Sequence, residues 1–201
     1  MSTAYFPKSK VEEVLRINNR CIRCGREAIG PRGKAWSIDH FIPFAIAKWA
    51  PLDNSELVTD DLIEELNVVE NAVIMCISCN FDKGARVIAP HEVHDFKYMT
   101  PAQVKTHDRT YKKHKSVIHS YKRVLKELLN AQRKRCYLCD KFLPVEFAAI
   151  RRIDSSKDRA KDNACVVCNN CSRYIAHRRH DEVLRKGMLR NKMLYSILHN
   201  V

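Results

Sequence analysis

Apolar positions along this chain form short helical stripes, interrupted early by one stretch that alternates. Val11, Val14 and Leu15 share one face of a helix opened by the capping box Ser9-x-x-Glu12. Trp36-Ser37-Ile38-Asp39-His40-Phe41 alternates apolar with polar and is β-prone, which predicts one strand of a hairpin. Residues 44–50 and 59–67 read as helices, the second opened by Thr59 with Asp60 and Asp61 in its first turn. Another helix is expected from near Cys79. Thr100-Pro101-x-Gln103 is a second capping box with proline at the first helical position. It predicts one helix over about 101–132, with Val104, Tyr111, Ile118, Tyr121, Leu125, Leu128 and Leu129 as its apolar side. The stripe Val183, Leu184, Leu189, Met193, Leu194, Ile197 and Leu198 predicts a last helix over about 181–199, for core or dimer contact.

Punctuating these elements is a cysteine pattern that occurs twice. The first copy runs Cys21-x-x-Cys24, Asp39-His40, Asn71, Cys76-x-x-Cys79-Asn80. The second runs Cys136-x-x-Cys139, Asp154-Ser155, Asn163, Cys168-x-x-Cys171-Ser172. Aligned on equal intervals, with 15 residues from Cys24 to Asp39 and from Cys139 to Asp154, the copies differ at His40 against Ser155 and Asn80 against Ser172. This reads as an active module followed by a degenerate duplicate. The expected organisation is a first module over 1–99, a basic linker helix over 100–135 and a second module over 136–201.

Each copy is about sixty residues or fewer, too small for a safe apolar core, so a structural metal is the expected supplement. Met1–Lys10 lacks the pattern of a secretory signal, and no apolar run approaches the length of a membrane span. Reduced cysteines in a cytoplasmic or other reducing compartment are therefore expected. In that setting C-x-x-C pairs suit zinc better than a disulfide framework. Cys21, Cys24, Cys76 and Cys79 form the first four-thiolate set. Cys136, Cys139, Cys168 and Cys171 form the second, with Cys165 left over as an alternative ligand. Closed sites of this kind hold a fold and offer no open position for catalysis.

Charge separates the halves. Of the formal +13, residues 1–99 carry a net −2 and residues 100–201 a net +15. A near-neutral half joined to a strongly basic one points to a polyanion partner, most simply nucleic acid. Lys112, Lys113 and Lys115 on the linker helix, and Arg151, Arg152, Lys157, Arg159 and Lys161 around the second hairpin, are the expected phosphate contacts; a solvated surface is the plainer alternative.

The first copy also carries reaction chemistry. His40 can take a proton from water near neutral pH. Asp39 and Asn80 offer hard oxygen ligands to a divalent ion such as Mg²⁺ or Mn²⁺. The Asn71 amide oxygen can accept from one imidazole nitrogen and set the tautomer. His91-Glu92-Val93-His94 has the wrong spacing for a helical zinc-protease motif.

The stretches Cys21-Ile22-Arg23-Cys24-Gly25, Ile38-Asp39-His40-Phe41-Ile42-Pro43 and Asn71-Ala72-Val73-Ile74-Met75-Cys76-Ile77-Ser78-Cys79-Asn80-Phe81-Asp82-Lys83-Gly84 resemble the HNH endonucleases, in their zinc-stapled, McrA-like branch. The resemblance covers about residues 20–86. It implies a ββα-metal module there; with the elements read above, the expected fold is α+β, with this module, a long basic helix, a second zinc-bound ββα-like module and a C-terminal helix. It further implies one catalytic divalent ion and phosphodiester hydrolysis, of double-stranded DNA above all, with His40 as general base, beside the two structural zinc ions that the cysteine spacing predicts. Asp39 and Asn80 would hold the ion and Asn71 would orient His40. Lys83 lies where the family often has lysine, for phosphate or packing, and Arg86 follows as a further expected phosphate contact. Asn80 stands where a third histidine is commoner, and the insertion at 41–70 is long. The alternatives are a non-catalytic zinc-stabilised nucleic-acid-binding protein and an RNA-cleaving toxin. One active centre per chain makes a homodimer or sequential nicking the routes to double-strand cutting.

Overall fold

Strand β1 (Trp36–His40) pairs antiparallel with β2 (Ala72–Cys76), placing Trp36 opposite Cys76 and His40 opposite Ala72. Helix α1 (Lys8–Ile17) precedes this hairpin, and α2 (Ala45–Trp49) and α3 (Asp60–Leu66) fill the insertion between its strands. Helix α4 (Ile77–Lys83) leaves β2 directly and completes a ββα unit. The computed structural model describes residues 8–176 of the chain apart from 31, 33 and 55–57. The expected helix at 181–199 and the Ser9 side chain of the first capping box lie outside that description.

The long helix expected over 101–132 is two helices, α5 (Pro101–Lys113) and α6 (Lys115–Ala131), broken at His114. His114 Nε2 meets Glu65 Oε2 of α3 at 2.8 Å, and Lys113 Nζ donates to Glu65 Oε1 at 2.8 Å. Although desolvation would raise Glu65, these two hydrogen bonds hold it below the usual carboxylate range. The second capping box is formed as expected, with Thr100 Oγ1 accepting from Gln103 N–H and Gln103 Oε1 accepting from Thr100 N–H.

The two helices pack differently. Helix α5 buries a polar face of Gln103, His107 and Thr110 and leaves Val104 exposed, against the expected apolar stripe. The reason is its neighbour: the first module presents carbonyls to it. Gln103 Nε2 donates to Ala72 C=O at 3.4 Å, and His107 Nε2 lies 3.0 Å from Ile88 C=O. Helix α6 buries Val117, Ile118, Tyr121, Val124, Leu125, Leu128 and Leu129, as its stripe predicts.

That face organises the main core. It gathers Ile46, Trp49, Leu62 and Leu66 of the insertion together with Ile150, Val166 and Val167 of the second hairpin. The connector is therefore the central packing element of one core rather than a linker between separate bodies. The insertion packs with the second module. The first hairpin keeps two smaller clusters, one around Phe41, Val73 and Phe96, the other around Val14, Trp36 and Ile74.

The second unit repeats the first. Strands β3 (Ala148–Arg152) and β4 (Ala164–Cys168) pair antiparallel, and α7 (Asn169–Ala176) leaves β4 directly. The knuckle hydrogen bonds match one for one. Cys21 N–H donates to Arg26 C=O as Cys136 N–H does to Lys141 C=O, and Ile22 N–H donates to Ile74 C=O as Tyr137 N–H does to Val166 C=O. Gly25 and Asp140 close equivalent turns with φ of +73° and +58°. Among the described residues no helix is long and apolar enough to cross a membrane.

Candidate functional site

Both cysteine sets close as the spacing predicts. The sulfurs of Cys21, Cys24, Cys76 and Cys79 lie within 4.8 Å of one another, as do those of Cys136, Cys139, Cys168 and Cys171. Cys24 and Cys76 sulfurs are 3.8 Å apart, and Cys139 and Cys168 sulfurs 3.9 Å. Tetrahedral zinc with Zn–S of about 2.3 Å requires sulfurs about 3.8 Å apart, so both sets fit a metal ion. Cys165 lies outside its set: it is buried on β4 opposite Arg151, and burial pushes its thiol up to about 12.

Helix α4 packs against β1, and the candidate residues sit on that seam. Asn80 Nδ2 donates to Ser37 Oγ at 2.8 Å. Two residues on along the strand, Asp39 Oδ2 accepts from Lys83 Nζ at 2.6 Å. Lys83 is fully buried and also donates to His40 C=O at 3.0 Å. The expected nucleic-acid contact at Lys83 is thus an internal ion pair; desolvation of the ammonium demands the carboxylate. Asp39 remains about a quarter exposed, and its Oδ1 is the oxygen left for a cation.

His40 ends β1 and is buried beside Phe44, ring centroids 5.8 Å apart. Burial holds its imidazole below the ordinary value, against the pull of Asp39 and of a hydrogen bond with the Asn67 side chain. Burial thus favours the neutral imidazole, the form a base needs. The side chain that bears on the imidazole is thus Asn67, which the sequence reading does not name. Asn71 Oδ1 instead accepts from Ile42 N–H at 2.9 Å, while Nδ2 donates to Ile42 C=O and Leu66 C=O. It clamps the loop that follows His40. Sequence reasoning misses Asn67 because an asparagine closing a helix carries no distinguishing signal; its pairing arises only when α3 folds back.

The same clamp exists in the second unit. Asn163 Oδ1 accepts from Asp154 N–H, and its Nδ2 donates to Asp154 C=O and Asp158 C=O. This fixes the equivalence of the two copies and corrects the alignment by sequence interval. Phe41 N–H donates to Asn71 C=O as Ile153 N–H donates to Asn163 C=O. Arg151 is therefore the counterpart of Asp39 and Arg152 that of His40, not Asp154 and Ser155. The segment between knuckle and strand is three residues shorter in the second copy. Asp154 instead braces a turn, accepting from Ser156 N–H and Oγ.

Several expected phosphate contacts are already engaged. Arg151 is largely buried, with Nε and Nη2 on Ser172 Oγ. Lys112 pairs with Asp108, Lys113 with Glu65, Arg86 with Glu92 and Lys161 with Glu127. Lys115 and Lys157 are exposed. Comparison with protein-family models, curated proteins and solved structures finds no match to this chain.

Proposed function

We propose that the chain is a metal-dependent endonuclease of the HNH type that hydrolyses DNA phosphodiester bonds. The observation that carries this reading is His40: a buried imidazole beside a carboxylate, at the end of a strand whose partner β2 ends in a cysteine of the first four-thiolate set. His40 would take the proton of the attacking water. Asp39 and Asn80 are the hard-oxygen donors fitted to a divalent ion such as Mg²⁺ or Mn²⁺, which when bound polarises the phosphate and stabilises the leaving oxygen. Asn71 keeps the loop after His40 in place, and Asn67 holds the imidazole. Lys83 shields the Asp39 charge from the protein side. The second unit, with arginines where Asp39 and His40 stand, has neither a base nor an ion ligand there and serves structure and binding.

One observation favours a second reading. The Lys83–Asp39 ion pair neutralises the carboxylate that an ion would need, which suits a zinc-stabilised nucleic-acid-binding protein without catalysis. Incubating the purified chain with a sequence-diverse duplex DNA pool, with Mg²⁺ and with Mn²⁺, and mapping the ends separates the two. Mapped metal-dependent ends support the nuclease; an uncut pool supports the binding protein. Parallel incubations with single-stranded DNA and RNA identify the substrate class.

A further inference from the structure

The insertion of the first unit and the hairpin of the second meet at a cluster of cations. Lys48 projects from α2, Arg151 and Arg152 end β3, and Arg159 lies in the β3–β4 loop. The Arg159 guanidinium lies 5.8 Å from the Trp49 ring, and the Lys48 ammonium 5.3 Å from the Phe44 ring. Phe44 in turn packs against His40, so the cluster borders the face that carries the proposed base.

These charges are close enough to repel. After burial, Arg159, Arg151 and Arg152 are what lower the Lys48 pKa, and Arg152 acts likewise on Arg159. Elsewhere on this basic chain cations find carboxylates: Lys113 with Glu65, Arg123 with Asp53, Lys161 with Glu127. Among the described residues none of the four cluster cations makes an ion pair. Hydrogen bonds position two of them instead, and ring contacts the other two. Arg151 is tied to Ser172, and Arg152 Nη1 donates to Lys157 C=O at 2.9 Å. Arg151 and Arg152 occupy the places of Asp39 and His40, so the seam that would bind a cation in one unit is cationic in the other.

We propose that Lys48, Arg152 and Arg159 form a binding site for nucleic-acid backbone phosphate, built jointly by the two units and backed by the partly buried Arg151. It deepens the endonuclease reading and rests on it for the class of ligand. The duplicated unit would grip the strand beside the cleavage centre. A guanidinium over an aromatic ring, as at Arg159, and one fixed by a backbone bond, as at Arg152, suit such a role better than freely moving lysines.

The test uses the full-length, zinc-loaded chain and a labelled duplex of about 20 base pairs, with no added Mg²⁺ or Mn²⁺. Binding is followed by fluorescence anisotropy across a KCl series. For Lys48→Gln/Arg159→Gln the plot of log affinity against log salt should flatten by about 1.8, at about 0.9 for each phosphate no longer neutralised. Arg159→Gln alone, at an exposed position that leaves folding intact, should flatten it by about 0.9. Lys48→Arg/Arg159→Lys should keep the wild-type slope. An unchanged slope in both Gln variants, or equal loss in the charge-preserving pair, overturns the site. Cleavage is read separately with Mg²⁺. A wild-type chain that cuts, with variants of unchanged slope, fails this site alone. A wild-type chain that never cuts, with variants of flattened slope, fails the nuclease reading alone.

Discussion

Arg151 holds in the second hairpin the place that Asp39 holds in the first: each is the fourth residue of its strand, facing Cys165 and Val73 respectively. Around this swap the partners change in step. Asp39 is bound by Lys83 of α4, whereas Arg151 is bound by Ser172 of α7. Ser172 is itself the counterpart of Asn80, four residues past the β-strand cysteine in each copy. The two units share a scaffold and differ in the charge of the seam between hairpin and helix.

The Lys83–Asp39 pair should couple energetically. Lys83→Met leaves a partly buried carboxylate without its cation, and a loss of about 3 kcal/mol is expected, the low end for breaking such a pair because Asp39 retains solvent. Asp39→Asn/Lys83→Met should recover much of it. Urea denaturation of the two single variants and the double gives the cycle; additive losses would mean the pair does not interact.

The asparagine clamps should be structural in both units. Asn71→Ala and Asn163→Ala each remove one acceptor and two donations to main chain, and each should cost about 2–4 kcal/mol. Equal destabilisation by denaturation is the expected result. An Asn71→Ala protein of unchanged stability but abolished activity would instead restore the expected role of orienting the imidazole.

Zinc content follows from the sulfur geometry. Elemental analysis should find two zinc ions per chain. Cys165→Ala should keep both, while Cys76→Ala should lose one and with it the fold of the first hairpin, since metal binding at such sites is folding energy. Loss of zinc in Cys165→Ala would place Cys165 in the ligand set.

Acid should weaken the fold through two histidines. Burial lowers the pKa of His40 and of His107 below their ordinary value. Below about pH 6.5 the unfolded chain takes protons that these buried rings refuse. Their contribution is therefore fully present above that pH and is lost as pH falls from there through the folded values. His107→Gln should flatten the decline of stability below pH 6.5; an unchanged pH profile would show that His107 does not titrate on unfolding.

Much of the first unit is legible in the sequence. The strand at Trp36, the Thr59 and Thr100 caps and both cysteine sets are local signals of spacing and side-chain type, and the structure has them; the helix expected from near Cys79 begins two residues earlier, at Ile77. Tertiary pairing is not legible. An exposed-looking Lys83 turns inward because Asp39 lies across the seam. A polar face of α5 is buried because β2 offers it a carbonyl. The equal 15-residue intervals suggest Ser155 opposite His40, but strand register is set by pairing and by the asparagine clamp, which moves the match by three residues to Arg152.

The central claim is that His40 is a general base, and a comparison of His40→Ala with wild type on duplex DNA in Mg²⁺ tests it most directly. The variant should retain DNA affinity and zinc content yet cleave ~10²–10⁴-fold more slowly, the usual worth of a positioned base. Cleavage at the wild-type rate by the His40→Ala protein would contradict the account.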